Sequence, residues 1–294
     1  MLYGDLHNHS TFSDGSFTPE EIVLRAKQYG YKAVVLTDHD TVQGTYFMQK
    51  AARKEGLLTL LGVEFSTIST LGDEFHLLGY DFNPDEKEIK TILQHSSRLE
   101  RSRVELLLNR AHKNGQLMEV TWKEVEDSYP NNDYLCCNQL IWVMRKKGLL
   151  KTPEEKENFR IWMRHTPQND QFVEENIDIQ KPDVADVIRA IRNAGGVPII
   201  AHPHGQLKYI EPLIEYGMMG VEVNFSCSTQ EERQYLRRVA KENNLYMTGG
   251  SDHEGYLSEC YPADAPEKYR HSYPAECLGT DEENFMKLYH RTMG

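Results

Sequence analysis

Histidine and carboxylate residues recur in this chain where short apolar segments end, and this recurrence limits the folds that the chain can adopt. Five clusters occur: Asp5-Leu6-His7-Asn8-His9, Thr37-Asp38-His39-Asp40, Gly62-Val63-Glu64 with His76 after it, Ala201-His202-Pro203-His204 and Ser251-Asp252-His253-Glu254. Strands of a parallel sheet are buried on both faces and therefore consist of apolar runs. Their carboxyl ends share one edge of the sheet, so such a fold would gather all five clusters there.

Apolar runs alternate with helical patterns over most of the chain. Thr18-Pro19-Glu20-Glu21, for example, combines a capping threonine, a proline in the first turn and a glutamate three residues after the cap, which predicts a helix start. Strands are predicted at 2–7, 33–37, 57–62, 74–79, 197–201, 220–224 and 245–248. Such strand–helix units predict an α/β fold whose parallel sheet is either closed into a barrel or open.

The segment 84–181 interrupts the alternation because it contains helical patterns and no clear strand. Helices are predicted at 89–114, 121–128, 135–147 and 152–165, and the polar tail 166–180 is predicted to be a loop. We interpret 84–181 as a helical insertion that covers the substrate, and 1–83 together with 182–294 as the α/β domain. After Asp252 the chain is predicted to be irregular up to a final helix at 280–291.

Composition narrows the class of protein. The 294 residues include 33 basic and 45 acidic side chains, and the net charge of −12 argues against a broad surface for polyanions, although not against an anionic substrate. No apolar run approaches the ~18 residues of a membrane span, and the first residues lack the features of a signal peptide. The five cysteines form no Cys-x-x-Cys pair. We therefore expect a cytoplasmic protein with reduced thiols, no membrane association and no evident protein partner.

His7 and His9 have the spacing of a metal site. Side chains two residues apart on an extended segment point to the same face, so both imidazoles can bind one cation. Imidazole with carboxylate favours Zn, Mn or Fe over Ca or Mg, which prefer oxygen ligands. Asp38 and Asp40 are interpreted as helix caps rather than ligands, and Asp5 as a residue that supports the ligands.

The ordered motifs of the chain resemble those of the PHP (polymerase and histidinol phosphatase) domain family, in particular its stand-alone metal-dependent phosphoesterases. The motifs are Asp5-Leu6-His7-Asn8-His9-Ser10, Ser13-Asp14-Gly15, Thr37-Asp38-His39-Asp40-Thr41, Gly62-Val63-Glu64-Phe65-Ser66, Phe75-His76-Leu77-Leu78-Gly79 and Ala201-His202-Pro203. The resemblance spans both ends of the chain, with the insertion between them. It implies a distorted (β/α)7 barrel with a trinuclear metal site that holds two to three divalent ions of Mn, Fe or Zn.

Carried over position by position, the resemblance implies three sets of ligands. The first metal would be held by His7, His9, Glu64 and Asp252, the second by Glu64, His76 and His202, and the third by Asp14, His39 and a last histidine. The family usually has Asp-x-His in its last motif, whereas here His253 follows Asp252 directly and Glu254 takes the expected place. Either His253 or Glu254 would complete the third site, and His253 is favoured.

The charge of such a site suits a phosphate ester. Divalent ions that are only partly offset by Asp14, Glu64 and Asp252 leave a positive pocket, in which a metal-bound hydroxide can attack phosphorus. We therefore expect a phosphoesterase for a small phosphorylated metabolite or a nucleotide. His204 could contact the phosphate or protonate the leaving oxygen, and Arg101 could bind phosphate together with Arg98 and Arg103 from the same helix, although a solvated helix face is the favoured interpretation of these arginines.

Other functions fit parts of the sequence. An exonuclease acting on short RNA or DNA ends would use the same site on a short oligonucleotide. A C–N hydrolase of the amidohydrolase type also uses histidines on a barrel, but it would need a carbamylated lysine or a single buried aspartate base, and no lysine ends a predicted strand. A non-catalytic binding module is disfavoured by the complete ligand set. Relatives often have Gly-Arg-Pro-His where this chain has Tyr134-Leu135-Cys136-Cys137-Asn138, so their specificity does not carry over directly.

Overall fold

The computed structural model describes residues 2–70, 73–163, 166–177, 180–226, 228–253 and 278–293. The strands in this part are β1 (Gly4–Asp5), β2 (Ala33–Val34), β3 (Gly62–Ile68), β4 (Glu74–Tyr80), β5 (Val197–Ile200), β6 (Gly220–Asn224) and β7 (Tyr246–Gly249). The α-helices are α1 (Pro19–Gln28), α2 (Thr45–Glu55), α3 (Lys87–Lys113), α4 (Trp122–Ser128), α5 (Cys137–Lys146), α6 (Pro153–Met163), α7 (Pro167–Asn176), α8 (Val184–Asn193), α9 (Ile210–Glu215), α10 (Gln230–Glu242) and α11 (Glu282–Tyr289). The stretch predicted to be irregular after Asp252 falls mostly outside the described residues.

The strands form two sheets. β1 and β2 pair in parallel, and β3-β4-β5-β6-β7 form a five-stranded sheet in chain order. Within that sheet the β3–β4 and β4–β5 pairs are antiparallel, whereas β5–β6 and β6–β7 are parallel. The mixed α/β class is as expected, but the sheet topology does not show a closed barrel. The all-parallel sheet was wrong because the connection 69–73 is too short for the crossover of about a dozen residues that a parallel pair requires.

Isolated bridges connect the edges of the two sheets. On one side Ala33 pairs with Leu58 and His39 with Glu64, and on the other side Asn8 pairs with His253, all in parallel orientation. The clusters that the sequence places at strand ends are therefore joined by backbone contacts. These contacts position the candidate site described below.

The third strand was predicted at 57–62 but lies at Gly62–Ile68. In β3 the apolar Val63 and Phe65 pack in the core, and they alternate with the polar Glu64 and Ser66. This alternation is the period of a strand with two different faces, and it indicates the strand better than the preceding apolar run does. As a consequence, Glu64 lies inside a strand and not after one.

The polar tail 166–180 was predicted to be a loop, but it contains α7. Thr166 caps this helix by accepting a hydrogen bond from the backbone N–H of Asn169, and Pro167 occupies its first turn. The capping threonine and the proline also begin α1, where in addition Thr18 and Glu21 form a capping box that α7 lacks. The signal was overlooked because the segment has few apolar residues.

The range predicted as a helical insertion has its own apolar cluster. The buried members of this cluster run from Val104 to Val173, whereas Ile89 and Leu93 at the start of α3 pack in the core that surrounds the five-stranded sheet. α3 thus contributes to both clusters, and the division of the chain at 84 and 181 stays a prediction. None of the helices in the described residues combines the length and the apolar character that crossing a membrane requires.

Candidate metal centre

Backbone pairing at the strand ends brings the predicted ligand segments together. The N–H of His9 donates to the carbonyl of His253 at 3.1 Å, and the N–H of Asp252 donates to the carbonyl of His7 at 2.9 Å. On the other side, the N–H of Asp40 donates to the carbonyl of Glu64 at 2.9 Å. Each of these bonds joins two segments that are distant in sequence. The segment around His7 and His9 therefore pairs with the last strand, and the segment around His39 pairs with the third.

Three groups of side chains have ligand atoms within 4.8 Å of one another. These groups are His7, His9, Glu64 and Asp252; His9, Asp14 and His39; and His39, Glu64 and His76. The first group contains the same four residues as the first predicted set. In the other two groups, His39 stands where His202 was expected, and His9 stands where His253 or Glu254 was expected.

Oε2 of Glu64 is approached by several imidazoles. It lies 3.1 Å from Nε2 of His7, 3.1 Å from Nε2 of His9 and 3.4 Å from Nδ1 of His39. Oδ1 of Asp252 lies 3.1 Å from the same nitrogen of His9. A fully buried carboxylate surrounded by ring nitrogens in this way can share a cation with them.

Oε1 of Glu64 faces the other side of the cluster. It lies 3.1 Å from Nδ1 of His76 and 3.0 Å from Nε2 of His202. His202 thus contacts Glu64 although it belongs to none of the three groups. The two oxygens of Glu64 have different imidazole neighbours, and this arrangement suits a carboxylate that bridges two cations.

Several of these close approaches lack hydrogen-bond geometry. The following buried atoms have no hydrogen-bond partner among the residues that the structure describes: Nε2 of His7, Nδ1 of His9, Nδ1 of His39, Nδ1 of His76 and Oε2 of Glu64. Buried polar atoms are normally paired, and leaving one unpaired costs about 1–3 kcal/mol. Lone pairs on nitrogen and oxygen that converge on common points fit divalent transition metals, so these residues are suited to the predicted group.

The remaining predicted ligand has a different environment. His253 is buried, its carbonyl accepts the bond from His9, and its ring centroid lies 5.8 Å from that of Phe17. Among the described residues it joins none of the three groups. Its role as a ligand stays a prediction, and the alternative, Glu254, lies outside the described residues.

Carboxylates raise the pKa of the histidines on one side of the centre. Burial would lower the pKa of His7, but the charges of Glu64, Glu222 and Asp252 outweigh it and hold the pKa well above its usual value. Burial would likewise lower the pKa of His202, but the hydrogen bond to Glu64 and the charge of that carboxylate raise it to about 8. A cation that binds to these rings must therefore displace protons.

The pKa of His39 shifts in the opposite direction. Burial lowers its pKa to about 4, with the neighbouring His9 and His76 adding to the effect and Glu64 and Asp14 opposing it. The imidazole of His39 is therefore neutral at pH 7, which is the form that binds metals. Burial would raise the pKa of Glu64, but His7, His39 and His76 hold it well below its usual value.

Further carboxylates orient the ligands. Asp38 accepts hydrogen bonds from the N–H of Ser10 at 2.6 Å and from the hydroxyl of Ser13 at 2.6 Å. Asp40 accepts from the N–H of Ser66 at 3.0 Å. Neither aspartate caps a helix, so that prediction was wrong: both carboxylates are buried, and Asp38 binds the loop of Ser10 and Ser13 whereas Asp40 binds the backbone of β3.

Two more acidic residues, Asp5 and Glu222, hold segments that carry candidate ligands. Asp5 accepts from the N–H of Ser251 at 2.9 Å and from its hydroxyl at 2.7 Å, and it thereby holds the residue before Asp252. Glu222, which sequence reasoning did not single out, lies 3.2 Å from Nδ1 of His7 and accepts from the N–H of His202 at 2.8 Å. The sequence could have indicated Glu222, because a charged residue between two valines in the middle of a buried strand is unusual.

The predicted insertion contacts the loop that carries Asp14. The side-chain amide of Asn138 donates to the carbonyl of Asp14 at 2.7 Å, and that of Gln139 donates to the carbonyl of Ser13. Asn132 donates to the carbonyl of Thr11 at 2.7 Å. The inserted helices are thus bonded to the ligand loop, and they form a wall of the cavity beside it.

A cavity of about 210 Å³ lies between the candidate ligands and the predicted insertion. Asp14, His39 and His76 line one part of it, and the cations Arg103, Arg160 and Lys181 line other parts. The predicted substrate contacts His204 and Arg101 are not among the described residues that line it. His204 pairs with Glu232 at 2.9 Å and Arg101 with Glu126 at 2.7 Å. Their roles stay predictions.

Imidazoles and carboxylates around one shared glutamate are typical of proteins that hold several metal ions. Residues 5–148 match the family model of the PHP domain, which agrees with the resemblance of the motifs.

Several known proteins resemble this chain over most of its length. A 5'-3' exoribonuclease of Haemophilus influenzae is 29% identical, with 84% of this chain and 88% of the relative covered. A phosphoribosyl 1,2-cyclic phosphate 1,2-diphosphodiesterase of Eggerthella lenta is 28% identical, with coverages of 85% and 94%. A crystal structure from Bifidobacterium adolescentis, whose description proposes a metal-dependent phosphoesterase, has a TM-score of 0.80 at 23% identity, with coverages of 99% and 96%. This last likeness shows the fold.

Proposed function

We propose that this protein is a metal-dependent hydrolase of phosphate esters, with a small phosphorylated metabolite or a nucleotide as substrate. The observation that supports this most is Glu64, whose two carboxylate oxygens lie among different buried imidazoles at 3.0–3.4 Å. The two curated relatives have names that describe cleavage of phosphate esters. The α/β scaffold and the match to the PHP domain agree with this function, and a distorted (β/α)7 barrel is the form of the scaffold that we propose.

The ligand roles belong to this proposal. Two to three divalent ions of Mn, Fe or Zn would be held by residues drawn from His7, His9, Asp14, His39, Glu64, His76, His202, Asp252 and His253. When bound, such ions polarise the phosphoryl group and lower the pKa of water toward neutrality. The chain supplies the rest: Glu222 and Asp38 fix the ligand segments, and the inserted helices form a wall of the cavity.

The lysine that lines the cavity does not resemble the base of an amidohydrolase-type site. Lys181 lines the cavity and is paired with Glu74 at 2.6 Å, so this lysine has a partner and is not placed among the candidate ligands. An amidohydrolase-type site would need a lysine or a single aspartate base at the ligands, and we therefore favour phosphate esters. A cytoplasmic location stays a prediction.

A second candidate is an exonuclease that removes nucleotides from short RNA or DNA ends. The name of the Haemophilus influenzae relative favours it, because that protein matches 84% of this chain. The chemistry at phosphorus is shared by both candidates. They differ in whether a single mononucleotide is a sufficient substrate.

The test is a phosphate-release screen. The purified protein is loaded with Mn, Fe or Zn and incubated with sugar phosphates, mononucleotides, dinucleotides and short oligonucleotides. Release from a mononucleotide or sugar phosphate supports the small-molecule hydrolase, whereas mononucleotide products from oligonucleotides alone support the exonuclease. Absence of hydrolysis of every phosphate ester with every metal would contradict the proposal.

A further inference from the structure

Two adjacent cysteines lie on the wall of the cavity. Cys136 and Cys137 both line it, and both are free thiols, of which Cys136 is buried and Cys137 is partly exposed. Neither belongs to a group of candidate metal ligands among the described residues. The proposed function therefore gives no role to two nucleophilic side chains that stand beside the candidate metal centre.

Cys136 has a structural role at the start of α5. Its Sγ accepts a hydrogen bond from the N–H of Asn138 at 3.4 Å, and its own N–H donates to Oε1 of Gln139 at 2.8 Å. Burial raises the pKa of the Cys136 thiol well above its usual value, and a side-chain hydrogen bond with Cys137 adds to this effect. Cys136 is therefore a protonated thiol at neutral pH, and it caps the helix.

Cys137 has a different environment. It is the first residue of α5, where the partial positive charge of the helix end acts on its side chain. Arg103 lines the same cavity and is only 4% exposed. Burial would lower the pKa of Arg103, but the charges of Glu100 and Cys137 outweigh it and raise that pKa, so the sulfur and the guanidinium interact.

The guanidinium of Arg103 has capacity for an anion. Its Nη2 donates to the carbonyl of Met163 at 2.6 Å and its Nη1 to Oε1 of Glu100 at 3.3 Å. Its Nε–H is buried and has no hydrogen-bond partner among the described residues. A guanidinium has five N–H donors, and burying one that is left unpaired is costly. An anionic sulfur or oxygen at the position of Cys137 would therefore be stabilised.

Cys137 is connected to the loop that carries the candidate ligand Asp14. The thiol of Cys137 donates to Oδ1 of Asn138 at 3.7 Å, and Nδ2 of the same asparagine donates to the carbonyl of Asp14 at 2.7 Å. The next residue, Gln139, donates to the carbonyl of Ser13. The first turn of α5 thus holds the ligand loop, and a chemical change at the sulfur of Cys137 acts on that support.

We propose that Cys137 is an oxidation-sensitive thiol through which hydrogen peroxide weakens the candidate metal centre. Cysteines that react with peroxide do so as thiolates, and they lie at helix N-termini or next to cations. Cys137 has both features and also lines a cavity that a small oxidant can enter. The inference goes beyond the proposed function, because it assigns a modification site to a residue that takes no part in hydrolysis.

The reaction is a two-electron oxidation of sulfur. The sulfur of Cys137 attacks one oxygen of hydrogen peroxide, an S–O bond forms as the O–O bond breaks, and the second oxygen leaves as water with the proton of the thiol. The product is a sulfenic acid. Two equivalents of a small thiol reverse the step, since they become a disulfide and the added oxygen leaves as water. The larger, more polar side chain is expected to displace Asn138 from the carbonyl of Asp14.

Labelling tests the modification site without any substrate. The Zn-loaded protein, whose metal has no redox chemistry, is treated with hydrogen peroxide and then with dimedone, which reacts with sulfenic acids. Mass spectrometry with fragmentation then locates the label. It is expected on Cys137 and not on Cys136. Absence of label from Cys137, or equal labelling of the two neighbours, overturns the inference.

Variants of α3 test the role of the cation in this reactivity. Arg103→Met is expected to slow labelling about tenfold, because a neighbouring cation favours the thiolate that reacts. Arg103→Lys keeps a cation and much of the rate. Arg98 is exposed on the same helix, so Arg98→Met is the matched control and should react like wild type. Circular dichroism establishes that each variant is folded. Equal rates in Arg103→Met and wild type contradict the inference.

Metal titration tests the consequence of oxidation. Chelator-treated protein is oxidised with peroxide, freed of the oxidant and titrated with Zn. Oxidation is expected to weaken binding by about tenfold or more, as loss of a residue that supports a ligand does, and treatment with a thiol followed by its removal should restore the affinity. Cys137→Ser should bind Zn normally before and after peroxide. Unchanged affinity of oxidised wild type, or the same loss in Cys137→Ser, overturns the inference. Neither measurement depends on hydrolysis, so a failure of the proposed function would be seen separately.

Discussion

Nδ1 of His7 lies 3.2 Å from Oε1 of Glu222, and both side chains are completely buried. The second oxygen of Glu222 accepts the N–H of His202 at 2.8 Å. One carboxylate on β6 thus holds two candidate ligands, which follow β1 and β5. A metal-binding histidine that donates its other N–H to a carboxylate is fixed in one tautomer and one orientation, with the opposite nitrogen free to bind.

Glu222→Gln is therefore expected to weaken metal binding. The amide keeps the size of the side chain but loses the charge that orients and activates His7, and such partners typically contribute about 10–100-fold to metal affinity. The measurement is calorimetric titration of the chelator-treated protein with Zn or Mn. Glu242→Gln at the exposed end of α10 is the control, for which unchanged affinity is expected. Equal affinity of Glu222→Gln and wild type would contradict the role of Glu222.

Loss of a ligand itself is expected to have a larger effect. Asp252→Asn and His9→Ala each remove one of the closest contacts in the first group, where Oδ1 of Asp252 and Nε2 of His9 lie 3.1 Å apart. Turnover should fall by more than the ~10–100-fold expected for supporting residues. The fold should persist, since the apolar core is untouched, and far-ultraviolet circular dichroism checks this. Asp186→Asn, an exposed change on α8, serves as control. Full activity in either ligand variant would refute the site assignment.

Some of the candidate ligands can be recognised from the sequence alone, whereas the pairing of the strands cannot. His7 and His9 could be recognised because their spacing alone places them on one face, whereas Glu222 supports His7 from 215 positions away. Its carboxylate stands between Val221 and Val223, in a strand predicted with correct bounds, yet only the tertiary structure reveals its partner.

The errors in the fold have local causes. The antiparallel pairing of β3 with β4 follows from the short connection 69–73, which the expectation of a uniform parallel sheet overrode. The bounds of β3 were missed because Val63 and Phe65 alternate with polar residues instead of forming a run. α7 was missed because Thr166-Pro167 begins a helix with little apolar character. The predicted ligand segments still lie together, because the backbone bonds of His9 with His253 and of Asp252 with His7 do not depend on how β3 pairs with β4.

Gly250 allows the last strand to pass close to the first. A Cβ atom at this position would overlap the backbone nitrogen and the Cβ of His7. Gly250→Ala should therefore displace His7, lower the free energy of unfolding by about 1–3 kcal/mol and weaken metal binding in the same variant. Thermal unfolding and metal titration measure the two effects.

Gly115→Ala is the control for Gly250→Ala, because at Gly115 an added Cβ causes backbone strain but no steric overlap. Gly115 follows α3 with a φ of +71°, and a Cβ there would meet nothing within 4 Å. This variant should lose about 1 kcal/mol of stability through strain alone and bind metal normally. Normal metal binding by Gly250→Ala would mean that its contact with His7 does not position that ligand.

Metal binding should strengthen as the pH rises. The carboxylates around the centre hold the pKa of His7 and His9 well above the usual value and that of His202 at about 8, so protons occupy these rings at neutral pH and a metal ion must displace them. Affinity for Zn or Mn is expected to increase from pH 6 to pH 9, with proton release that calorimetry in buffers of different ionisation enthalpy would detect. The chelator-treated protein should show the opposite trend: the pKa of His202 is raised on folding, so its contribution to stability is complete below about pH 6.5 and is lost as the pH rises through 8. Its melting temperature should therefore fall between pH 6.5 and pH 9, and added metal should restore it. A metal affinity that does not change across this range would show that these histidines are not the ligands.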